Sequence, residues 1–88
     1  MSTKTKQKLP KWFNGVLYDK GETVSNIFTS EEIELTNVEL SLYDFIMGCN
    51  MLFERGSHRV NDEMIRDFDR ALTWFRVNNP QAYMVLLD

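Results

Sequence analysis

Two side chains of this sequence have the chemistry for nucleophilic or acid–base work near neutral pH: one thiol, Cys49, and one imidazole, His58. His58 is followed by Arg59 and has no nearby acid to orient it as a base. Cys49 falls on an apolar helix face, where a thiol is ordinarily inert packing. One cysteine permits no internal disulfide, and one cysteine with one histidine does not assemble a zinc site. The acidic run Glu31-Glu32-Ile33-Glu34 lacks the loop spacing that brings oxygens together around a hard cation, and reads as a solvated strand face. No glycine-rich phosphate loop or nucleophile elbow is present. These residues predict neither a catalytic site, a metal site nor a cofactor.

Charge points to a different chemistry. The first eleven residues carry Lys4, Lys6, Lys8 and Lys11 and no acid, leaving six basic against thirteen acidic residues in the remainder, a balance of −7. So acidic a body is repelled by phosphate backbones, and nucleic acid is an unfavoured partner. Only the lysines, with Trp12 as a stacking platform, would give weak contacts independent of base sequence. Residues 1–9 read as a disordered basic tail ahead of one domain over 10–88, because so few apolar side chains do not offset the entropy of ordering. Lys11-Trp12-Phe13-Asn14 resembles the opening strand of cold-shock domains. Glu22 and Val24, however, stand where that family places base-stacking aromatics.

The elements that must position these residues begin with strands. Val16-Leu17-Tyr18 reads as a first strand, Asp19-Lys20-Gly21-Glu22 as a turn in which Gly21 is able to take positive φ, and Thr23–Ile27 as the return. A turn over 28–31 and the alternation of Ile33 and Leu35 suggest a third strand. Thr36 and Glu39 have the spacing of a capping box opening a helix to about Arg55, with Gly56 as its left-handed terminus. Asn61 or Asp62 caps a second helix running to about Asn78, and Asn79-Pro80 starts a short third one. The expected fold is α+β: a small antiparallel hairpin or meander packed on two main helices and a short C-terminal helix.

The second helix has one apolar stripe, Met64, Ile65, Phe68, Ala71, Leu72 and Phe75, with Trp74 off it and expected beneath the C-terminal segment. The first helix has two. Val38, Leu42, Phe45, Ile46, Cys49, Leu52 and Phe53 form a broad face, and Leu40, Tyr43, Met47 and Met51 a second, roughly opposite. A helix apolar on two sides is buried on two sides. Either it lies centrally between sheet and second helix, or its second stripe meets another molecule, with Gly48 allowing close approach. A chain this short has a thin core, so association is the expected source of extra stability. Leu40, Tyr43, Met47, Met51 and Trp74 are the candidate interface of a homo-oligomer, a dimer being favoured, or of another protein partner.

Leu42-Tyr43-Asp44-Phe45-Ile46-x-Gly48, Trp74-Phe75-Arg76 and Asn79-Pro80-x-Ala82-Tyr83-Met84-x-Leu86-Leu87 resemble short proteins of marine tailed phages. That resemblance implies a setting, the host cytoplasm, and no activity. The opening residues hold no apolar leader, and Val38 to Phe53 is too short and too polar to span a bilayer. A cytoplasmic, non-catalytic interaction protein is the expectation, with tail-mediated nucleic-acid binding as the alternative.

Overall fold

The computed structural model describes residues 8–13, 15–56 and 58–87. Strands β1 (Glu22–Ser25) and β2 (Glu32–Leu35) pair antiparallel, with Glu22 opposite Leu35 and Ser25 opposite Glu32. Helices α1 (Asn37–Arg55) and α2 (Asp62–Asn78) follow, then the short α3 (Pro80–Ala82) and a π-helical turn over Tyr83–Leu87. The architecture is the α+β arrangement expected from the sequence.

The helix ends are set by local chemistry. Thr36 Oγ1 accepts from the Glu39 amide and Glu39 Oε1 accepts from the Thr36 amide, closing the capping box. Gly56, at φ 64°, takes the left-handed conformation that ends α1 at the expected place. Asn61 caps α2 by accepting from the Met64 amide at 2.8 Å. Asn79 ends α2 and caps the next turn, its Oδ1 accepting from the Ala82 amide.

The core sits between α1, α2 and the C-terminal turns. Leu42, Ile46, Ala71, Phe75 and Ala82 are fully buried, and Leu35 enters from β2. Phe13 reaches the same core from the N-terminal side. Its ring meets Phe45 edge-on at 5.8 Å, and Trp12 lies at 6.1 Å from Phe45 and 6.2 Å from Phe13. Leu9 already packs against this core.

Residues 16–18 do not form the expected strand. The Tyr18 amide donates to Ser41 Oγ at 2.9 Å, and its carbonyl accepts from Asn37 Nδ2 at 3.1 Å. Both backbone groups of Tyr18 are thus taken by the first turns of α1, which leaves that residue nothing for a ladder. Val16 and Leu17 stay exposed. Among the described residues the sheet therefore has two strands, and its one hairpin turn is the later of the two expected.

Gly21 corrects a second expectation. Among the described glycines only Gly56 has positive φ. Gly21 is needed for close approach instead: a Cβ there would overlap the Leu35 carbonyl oxygen.

Candidate functional site

The second stripe of α1 forms the floor of two adjoining hollows. Leu40 and Tyr43 line a groove of about 830 Å³ whose other wall is the chain from Tyr18 to Ser25. Tyr43, Met47 and Met51 line a second, of about 440 Å³, whose other side is made by Ile27, Phe28 and Leu86. Tyr43 and Ser25 belong to both. From Leu40 to Met51 the helix rises roughly 16 Å. Four of the five candidate interface residues are thus gathered along one trough. Trp74 is not among them. It lines a separate hollow with Trp12, Thr73 and Val77, no part of which comes from the C-terminal segment expected to cover it.

The hairpin half-covers the trough. Leu40, Tyr43 and Met47 are partly buried, whereas Met51 is 56% exposed. α1 touches both α2 and β2, as a central helix would. The part left open lies toward Met51 and the hairpin tip.

That tip holds the residues the sequence reading passed over. Ile27 and Phe28 are 86% and 89% exposed, the most exposed of the large apolar side chains among the described residues. They are held in a braced turn. Asn26 Oδ1 accepts from the Phe28 amide at 2.7 Å and from the Thr29 amide at 3.2 Å. The Asn26 amide donates to the Glu31 carbonyl, and its carbonyl accepts from Ser30, which adopts φ 67°. Asn26 Nδ2 also donates to the Val85 carbonyl at 2.7 Å, tying the turn to the C-terminal segment. One asparagine thus fixes both the shape of the turn and its placement. The available signal was two adjacent bulky apolar residues between Asn26 and Thr29-Ser30, in a segment otherwise composed for a turn.

The two hollows differ in charge. The larger is lined by Asp19, Glu22 and Asp44 against Lys20, while Glu54 is the one charged residue of the smaller. In the larger, the Tyr18 hydroxyl donates to Asp44 Oδ2 at 2.8 Å. That bond, then the charge of Asp44, raises the phenol's pKa above its ordinary value. Burial first, then Asp44, raises that of Tyr43.

Of the candidate nucleic-acid residues, the structure describes Lys8, Lys11 and Trp12. Lys4 and Lys6 lie outside the described residues, and Lys8 and Lys11 are exposed. Trp12 is half-buried, with its ring against Phe13 and Phe45. Cys49 is buried, and desolvation followed by Asp67 pushes its thiol pKa up, away from the reactive thiolate. His58 is exposed in the loop between α1 and α2. Among the described residues, no three His, Cys, Asp or Glu side chains are placed to hold a metal ion, and no helix is long and apolar enough to cross a membrane. Compared with known proteins, the chain matches no family model, no curated protein and no solved structure.

Proposed function

We propose that this chain is a non-catalytic interaction protein that self-associates through the hairpin tip and the open end of the α1 stripe. The observation carrying this reading is the braced exposure of Ile27 and Phe28 beside Met51. A turn whose backbone is already fixed by hydrogen bonds loses little further backbone freedom when its two bulky apolar side chains bind, which favours association. Charge favours a second copy as occupant. In a two-fold dimer a patch meets itself, and this patch brings only Glu54 into its hollow, so little like-charge repulsion opposes the contact. The thin core of an 88-residue chain gains stability from such a contact. The phage resemblance supplies a setting for it and no more. Tail-mediated nucleic-acid binding has weaker support, because Trp12 spends its ring on Phe13 and Phe45.

The test is solution mass by light scattering over a concentration series. The native chain should show a dimer that Phe28→Ser and Met51→Ser convert to monomer, with Arg66→Ser as the control that does not. Both apolar targets are exposed, so folding should change by no more than about 0.5 kcal/mol. A native chain that stays monomeric throughout defeats the reading.

A further inference from the structure

The larger groove has a geometry that self-association at the tip does not use. It is lined by all four residues of β1 and none of β2. A hollow over a sheet face would take alternate residues from both strands, because side chains point alternately to the two faces. Consecutive residues of one strand mean that the groove runs along the outer edge of β1. Among the described residues the sheet contains β1 and β2 alone, and no other strand pairs with that edge. In an antiparallel pair, every second residue turns its N–H and C=O away from its partner. The sequence of β1, Glu-Thr-Val-Ser, contains neither the proline nor the lysine that commonly blocks an edge. Opposite it, α1 supplies Leu40 and Tyr43 as an apolar wall and Asp44 as a charge.

We propose that this groove receives an extended, lysine- or arginine-bearing segment of a partner protein, which adds to β1 as a third strand. Backbone hydrogen bonds to the β1 edge supply affinity, and alternate side chains of the added strand rest on Leu40 and Tyr43. The charge of the partner follows from complementarity. Asp19, Glu22 and Asp44 outnumber Lys20, so a cationic strand is steered in and an anionic one repelled. This site lies beside the self-association patch and stands without it.

The probe is a fluorescein-labelled heptapeptide, Lys-Val-Lys-Val-Lys-Val-Lys, added to the full chain and followed by anisotropy. Two relatives accompany it: one with glutamate for lysine, and one with every backbone nitrogen methylated. The expected result is saturable binding of the lysine peptide, at least about tenfold tighter than the glutamate peptide and weakened by salt. Methylation removes the backbone donors of both strand edges without changing charge, so it should abolish binding. Equal binding of the methylated peptide would show attraction by charge alone and overturn strand addition. Equal binding of the glutamate peptide would overturn the assigned charge. Pairing of β1 with β1 of a second copy would appear as a dimer that the lysine peptide neither binds nor dissociates, and that also overturns the proposal. Only the peptide is altered in these comparisons, so misfolding of a variant does not enter. Failure here leaves the Phe28 and Met51 result standing on its own.

Discussion

The Asn79 side-chain amide donates to Glu39 Oε2 at 3.0 Å, joining the first turn of α1 to the junction between α2 and α3. Glu39 is fully buried, and its other oxygen closes the capping box. Asn79 is equally committed: its amide donates to the Phe75 carbonyl, its Oδ1 accepts from Ala82, and its carbonyl accepts from the Tyr83 amide. Two helix starts and one helix end therefore share a single part-buried contact. We expect Asn79→Ala to cost about 2–4 kcal/mol, combining a lost bond to a carboxylate with a lost cap. Urea unfolding monitored by tryptophan fluorescence measures this. A loss below about 0.5 kcal/mol, the range of an ordinary surface change, would mean that the contact contributes nothing to the junction.

Asn26 links the fold to the proposed contact surface. It shapes the turn through Oδ1 and fastens it to Val85 through Nδ2. Asn26→Ala should cost about 1–2 kcal/mol for the lost bonds. It should also weaken self-association, although Ile27 and Phe28 remain in place. Asn26→Asp keeps the Oδ1 acceptor geometry and loses the donor to Val85, so it separates the two roles. If both variants dimerise like the native chain, the brace has no part in association.

The tyrosines of the larger groove give a pH signature. Tyr18 is raised by its hydrogen bond to Asp44, then by the Asp44 charge, by desolvation and by Glu22; Tyr43 is raised by burial, then by Asp44. A raised phenol favours the neutral form in the folded state. Its contribution is therefore complete below the ordinary value of 10.0 and is lost as pH rises through the higher folded value. Following tyrosinate absorbance against pH, Asp44→Asn should move Tyr18 back toward its ordinary value. Tyr43 should move less, because its burial remains. Identical titration curves for the variant and the native chain would remove Asp44 from this account.

Much of this arrangement is local and therefore readable in the sequence. The Thr36–Glu39 box, Gly56, Asn61 and Asn79-Pro80 act within a few residues, and each helix begins or ends where those residues require. The two stripes of α1 are likewise a matter of spacing, and four stripe residues do line one trough. What spacing does not carry is long-range pairing. Val16-Leu17-Tyr18 has strand composition, but Ser41 and Asn37, about twenty positions on, claim the backbone of Tyr18. Ser41 reads as a polar divider between two apolar faces, yet it is buried, bonded to the Asn37 carbonyl and to Tyr18. The turn that carries Ile27 and Phe28 is tied to the C-terminal segment by Asn26 donating to the Val85 carbonyl, a contact between residues 59 positions apart.

Two glycines separate close approach from mere presence. At Gly21 an added Cβ would overlap the Leu35 carbonyl oxygen and lie 3.0 Å from Thr36 Cα, both backbone atoms where β2 leads into α1. Gly21→Ala must push the chain before β1 away from the end of β2, and we expect a loss of about 1–3 kcal/mol, as for other overpacked sites. Gly48 lies within α1, is exposed, and has nothing within 4 Å of an added Cβ. Gly48→Ala should stabilise the helix by about 0.5–1 kcal/mol through the unfolded state. Gly48 lines neither hollow of the trough. Self-association at the hairpin tip therefore leaves it uncovered, and the alanine variant should have the same solution mass as the native chain. If Gly48→Ala gives monomers while raising the unfolding midpoint, another backbone approaches at Gly48, and the contact surface lies on that flank of α1 rather than at Phe28 and Met51.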